Sequence, residues 1–200
     1  PMRREEVTGL SWPDVVRLDD DNRVARLALP EFSGPALDIP ARRMKGRRPH
    51  MAPLPPTAAQ LLAGMKPETP QNGPFVFSAS GGQKRFAGWQ SLMFRLRQRC
   101  VGMPDGWTIH DIRTAVATAM GDHLNVDDAL IARVLAHSLE TQLGVTFHYN
   151  LSRRVAPMLD ALTKWSTLLL SAVEAEHELR NRHASAADDA VVPWRAQPSG

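Results

Sequence analysis

Trp107–Asn150 reads WTIHDIRTAVATAMGDHLNVDDALIARVLAHSLETQLGVTFHYN. Thr108 has the character of a helix N-cap, and Asp111 at the third helical position completes a capping box. The helix that follows is expected to run to about His123. Asn125 or Asp127 caps a second helix through Ala136. His110 and Arg113 lie one helical turn apart, so they share a face. His137 follows on a later segment, and Tyr149, the only tyrosine of the chain, falls on a short third helix. Imidazole, guanidinium, imidazole and phenol are the reactive groups of the stretch. No carboxylate pair, Cys/His ligand cluster or Gly-rich phosphate loop accompanies them. The set suits a phosphodiester, with cations and donors to hold two anionic oxygens and a phenol to attack phosphorus.

Working outward, residues 2–11 read as the second half of a helix, whose Val7 and Leu10 expect apolar partners that a truncated chain can lack. Val15–Leu18 is a short strand, Asp19–Asn22 has turn chemistry, and 24–29 alternates weakly as a second strand. Leu37–Ile39 and His50–Ala52 flank the basic turn Lys45-Gly46-Arg47-Arg48 as a hairpin. Thr57 is expected to cap a helix through about Met65. Phe75–Phe77 is a short buried run before a Gly/Ser loop. Phe86–Cys100 carries Trp89, Leu92, Met93 and Leu96 at helical spacing, read as core, with Arg95, Arg97 and Arg99 facing outward or toward a polyanion. A long apolar-rich helix is expected from Ser152 to about Leu179. The remaining 180–200 read as a disordered tail. The sum is a mainly α chain with a small antiparallel β-sheet, an α+β domain over 1–179.

Two hundred residues, 43% of them hydrophobic, are enough for one core. No apolar run reaches the ~18–20 residues that a membrane-spanning helix needs, and PMRREEV has no signal-peptide pattern. The single Cys100 excludes an internal disulfide and fits a reducing, cytoplasmic setting. Net charge is a mild +3, but Arg42, Arg43, Lys45, Arg47 and Arg48 crowd one turn. A basic body with a more acidic end suggests a polyanionic partner.

The order H-x-x-R (His110, Arg113), then Ala136-His137-Ser138, then Tyr149 resembles the catalytic end of the tyrosine recombinases, the phage-type integrases. Met2–Val15 is similar to that family's first arginine segment, with Arg3 followed three residues on by Glu6 and nine on by Trp12. Met44–Leu54 looks like its β-hairpin bearing a catalytic lysine. The match covers roughly 1–165. It implies a tyrosine-recombinase-like catalytic domain, with the leading helix and the N-terminal DNA-clamping domain of the family expected to be missing from the chain.

The resemblance also implies roles. Arg3 and Arg113 hold the phosphate, with Glu6 orienting a guanidinium. Lys45 is the general acid for the departing 5′-oxygen. His110 serves in acid–base transfer, and His137 donates a hydrogen bond to a non-bridging oxygen. Tyr149 is the nucleophile, giving a 3′-phosphotyrosyl link that stores the bond energy, so that no ATP, metal or other cofactor is required. Arg43, Arg47 and Arg48 contact DNA. The expected partner is double-stranded DNA at attachment-type sites, bound by four copies of the chain, with no membrane involved. His50, His123 and His148 carry no assigned role. Two features depart from the pattern: Ala136 stands where the family most often has glycine, and twelve positions separate His137 from Tyr149. The expected activity is site-specific DNA recombination or integration. The competing expectation is a non-catalytic DNA-binding remnant of a decayed integrase. A type IB topoisomerase and a metal-dependent nuclease fit less well, the latter because the histidines lack co-ligands at metal spacing.

Overall fold

The computed structural model describes residues 2–16, 32, 34–67, 73–100, 102–137 and 154–189, with side chains described as far as residue 182. The expected strand at 24–29 and the segment bearing Tyr149 lie outside these residues. The described part is mostly helical with one small antiparallel sheet. By contacts the chain divides into two units, Pro1–Trp165 and Ser166–Gly200.

In the first unit, helix α1 (Arg4–Thr8) leads through a 3-10 turn at Trp12–Asp14 into strand β1 (Val15–Val16). Strands β2 (Ala36–Ile39) and β3 (His50–Pro53) form the expected hairpin. The sheet order is β1-β2-β3, antiparallel throughout, with Val15 opposite Leu37 and Ile39 opposite His50. Helix α2 spans Pro56–Met65. It starts two residues earlier than a Thr57 cap would have it, with Pro55 as cap, because proline at the first helical position needs no amide partner. Ser11 and Phe75 make an isolated bridge, and Val76 is buried beside it.

Helix α3 (Trp89–Arg99) lies within the expected Phe86–Cys100 but begins three residues later, and it lacks the expected burial. Trp89, Leu92, Met93 and Leu96 share a face, yet none is buried, and Trp89 and Met93 border an open cleft. Helix α4 (Ile109–Asp122) begins where the sequence places it, with Thr108 as cap and Asp111 bonded back to it. Helix α5 (Asp128–Val134) is capped by Asp127, whose carboxylate accepts from the Leu130 amide. Helix α6 runs Val155–Asp189, past the end expected near Leu179. Its alanine-rich extension (Ala184, Ala186, Ala187) favours the helix intrinsically, so the disordered tail expected from 180 does not begin there.

Two main cores carry the first unit. One joins Val116 and Met120 of α4, Leu130, Ile131 and Val134 of α5, and Met158 and Leu162 of α6. The other joins Leu10, Leu37, Ile39, Met44, Leu54, Leu62 and Val76. Leu10 is only 2% exposed, so it finds its apolar partners within the chain. Ala136 packs against the second core while its neighbour Leu135 belongs to the first. The residues that end α5 therefore stand at the seam of the two cores.

Candidate active site

Arg113 occupies the core-facing stripe of α4 with Val116 and Met120, and is only 5% exposed. A guanidinium in that position must be hydrogen-bonded. Its Nη2 donates to the Leu135 carbonyl at 2.8 Å and meets His137 Nε2 at 3.2 Å. Arginine can only donate, so His137 Nε2 accepts and the ring proton of neutral His137 belongs on Nδ1. Burial, then the charges of Arg113, Arg3 and His110, lower the His137 pKa, while Glu6 opposes them. The neutral form that accepts from Arg113 is thus the favoured one at neutral pH.

Arg3 stands at the start of α1, a turn too short to fix it alone. Glu6 does so: its carboxylate accepts from the Arg3 amide at 2.8 Å and from Arg3 Nη1 at 3.0 Å. Arg3 Nη1 also donates to the Ala136 carbonyl at 3.4 Å. Glu6 is 3% exposed and supplies the negative charge next to the two arginines. Burial and then Arg3 push the Arg113 pKa down, and Glu6 counters both. Arginine titrates so high that the guanidinium stays charged.

The turn after α5 makes these contacts available. Ala136 has φ +52°, a left-handed conformation that glycine adopts at lower cost. With this reversal the carbonyls of Leu135 and Ala136 receive the two arginines, and His137 follows directly.

A cleft of about 970 Å³ gathers the other groups. Arg3, Glu6, Lys45, His110 and Arg113 all line it, although the sequence spreads them over more than a hundred residues. Lys45 is exposed at the tip of the β2–β3 hairpin, beside Gly46, which has no atom near its missing side chain. His110 sits in the first turn of α4, where its amide donates to Thr108 Oγ1 at 3.2 Å. Asp111 closes the same cap, and its hydrogen bonds from Thr108 hold its carboxyl below the usual range. Positive lysine and arginine side chains and the N-terminal end of α4 thus border one space, an arrangement that favours a bound anion. Among the described residues no group of three His, Cys, Asp or Glu side chains could hold a metal ion.

The three cations assigned to DNA behave differently. Arg47 and Arg48 are exposed on the hairpin, with Arg47 at φ +50°. Arg43 lines the cleft and also makes an ion pair with the buried Asp14, which Ser11 bonds through its amide and hydroxyl. Tyr149 lies outside the described residues.

Sequence reading missed His50. This first residue of β3 has its pKa lowered to about 4, by burial first; Glu6 opposes this, and the N-terminal charge, then Arg113 and Arg3, add to it. It therefore shares the electrostatic field of the two arginines. The apolar wall that α3 gives the cleft, from Trp89, Met93 and Phe94, was missed as well, because helical spacing alone does not tell a core face from a cleft face.

Compared with known proteins, the chain matches no family model, no curated protein and no solved structure.

Proposed function

We propose that this chain is a DNA strand-transfer enzyme of the tyrosine recombinase type, with the catalytic-domain fold of that family. One observation carries the reading. Five residues assigned from separate sequence segments by their resemblance to a single reaction (Arg3, Glu6, Lys45, His110 and Arg113) border the same cleft, and His137 contacts Arg113.

The chemistry follows from the groups. Attack on a phosphodiester builds negative charge on the non-bridging oxygens, and guanidinium forks stabilise that charge. Arg3, held by Glu6, and Arg113, held by Leu135 and His137, are the two forks. His137 offers Nδ1–H to the same oxygens. The Tyr149 phenol forms the new O–P bond and gives up its proton to a neighbouring imidazole. As the P–O5′ bond breaks, Lys45 protonates the 5′-oxygen. The products are a 3′-phosphotyrosyl link and a free 5′-hydroxyl. The reverse sequence rejoins a strand without ATP, because the phosphotyrosyl bond keeps the energy of the original ester. Double-stranded DNA is the substrate in this reading, and four copies of the chain act together on two duplexes.

The test is covalent capture. The folded chain is incubated with nicked, labelled duplex from the junction of its host element and then denatured in SDS. A labelled band at the mass of protein plus DNA is expected from the parent and not from Tyr149→Phe. A folded parent that binds duplex but forms no adduct would instead support a DNA-binding remnant.

A further inference from the structure

The cleft is much larger than one phosphate requires. Its volume of about 970 Å³ is at the upper end of what small-ligand sites use. Cations border it on one part. Another part is a continuous face of α3, contributed by Trp89, Gln90, Met93, Phe94, Arg97 and Gln98, with the Arg97 guanidinium bonded to the Gly106 and Trp107 carbonyls. Two features mark this face as more than incidental apolar surface. The Trp89 indole is held at both ends, because its Nε1 donates to Thr8 Oγ1 at 2.9 Å and Phe86 packs edge-on with ring centroids 5.1 Å apart. Phe94 is 66% exposed in the same cleft, an unusual position for a phenylalanine unless something covers it.

An occupant must satisfy both parts at once. It must carry an anion for Arg3 and Arg113, and beside it a flat, weakly polar group for the aromatic wall. Gln90 and Gln98 add carboxamides that can donate and accept at the edge of such a group. A nucleotide has this construction, since every base offers a π-face to an aromatic side chain and a hydrogen-bonding edge to an amide. A base stacked within a duplex presents no face to a wall. We infer that the cleft takes a nucleobase unstacked from the strand whose phosphate lies on Arg3 and Arg113, with the base against Phe94 and Trp89 of α3. This rests on the phosphodiester reading of the site and adds a base subsite to it. Unstacking next to the reacting phosphate also provides a source of preference at that step, because weakly stacked steps open at lower cost.

The test separates phosphate from base. Three probes are titrated by NMR at low salt: inorganic phosphate, the dinucleotide TpT, and the same dinucleotide with both bases replaced by hydrogen. All three are expected to bind in competition, and TpT about tenfold more tightly than its base-free counterpart, as for stacking on an aromatic side chain. Phe94→Ala should bring that ratio toward one, and Phe94→Tyr should keep it. Arg113→Gln should weaken TpT and the base-free probe together. Phe94 is exposed, so its replacement leaves the core intact. Equal binding of TpT and the base-free probe to the parent would overturn the base subsite while leaving the phosphate reading standing. A ratio insensitive to Phe94→Ala would overturn its location on α3. Failure of all three probes, inorganic phosphate included, would overturn the phosphodiester reading itself.

Discussion

Arg3 and Arg113 terminate on consecutive carbonyls of one turn: Arg113 Nη2 on Leu135 at 2.8 Å, and Arg3 Nη1 on Ala136 at 3.4 Å. Two like charges are thereby set side by side, one from α1 and one from α4. Like charges repel, and the buried Glu6 carboxylate, on Arg3 at 3.0 Å, is what offsets the repulsion. The protein's own groups hold both guanidiniums in place, Glu6 and the Ala136 carbonyl for Arg3 and the Leu135 carbonyl and His137 for Arg113.

Ala136→Gly should stabilise the protein. Alanine at φ +52° costs about 1–2 kcal/mol that glycine avoids, and the greater freedom of glycine in the unfolded chain returns about half of that. The expected net gain is about 0.5–1 kcal/mol, read as a higher urea midpoint. Ala136→Val should lower the midpoint, since a β-branched residue tolerates this backbone poorly. A midpoint unchanged or lowered in the glycine variant would contradict the strain.

Glu6→Gln should destabilise strongly. It leaves two arginines adjacent without their counter-charge, and breaking one partner of a buried ion pair costs about 3–5 kcal/mol. Arg3 is partly exposed, so the lower part of that range is expected. Chemical denaturation of the variant at neutral pH and moderate salt measures it, and a loss below 1 kcal/mol would show that Glu6 does not hold Arg3.

Acid should weaken the fold through His50. Its pKa falls from 6.5 in the unfolded chain to about 4 in the folded one. The unfolded state therefore binds the proton first, and stability rises with pH across that window. The contribution is complete above about pH 6.5 and is lost as pH falls toward 4. At about 1.4 kcal/mol per pH unit the window is worth about 3 kcal/mol. His50→Gln should flatten the stability profile between these two values, measured by urea unfolding at a series of pH values. A profile with the same slope in the variant would remove His50 as the cause.

Arg43 and Arg47 should separate cleanly. Arg43→Ala strands the buried Asp14 and should cost about 3 kcal/mol of stability. Arg47→Ala should leave stability nearly unchanged, because its side chain is exposed. In our reading it instead reduces the slope of log affinity for duplex DNA against log salt by about one. Thermal melts and a salt titration of both variants decide the matter. A stable Arg43→Ala with a reduced salt slope would return Arg43 to the DNA-contacting group.

Helix α4 and the cap of α5 were legible because local chemistry sets them: Thr108 with Asp111, and Asp127 with the Leu130 amide. The β2–β3 hairpin was legible for the same reason, with two short apolar runs around a basic turn. What escaped depends on distant parts of the chain. Arg43 looked like one charge of a basic run, and only the fold brings Asp14 to it. Nothing near His50 in sequence announces Arg3, Glu6 and Arg113. The half-buried face of α3 has the periodicity of a core helix, and whether anything covers it is a tertiary matter. For the candidate site, the motifs named Arg3, Glu6, Lys45, His110, Arg113 and His137, while the backbone carbonyls that hold the arginines carry no sequence signature.

The most direct measurement of the central claim is the position of the covalent bond. The chain is reacted with nicked duplex carrying a short 3′ fragment beyond the nick, digested with trypsin and nuclease, and examined by mass spectrometry. The account predicts a single modified peptide containing Tyr149, heavier by a nucleotide joined through a 3′-phosphate, and absent from Tyr149→Phe. A nucleotide on any other residue, or no modified peptide from a folded chain that binds the duplex, would contradict it.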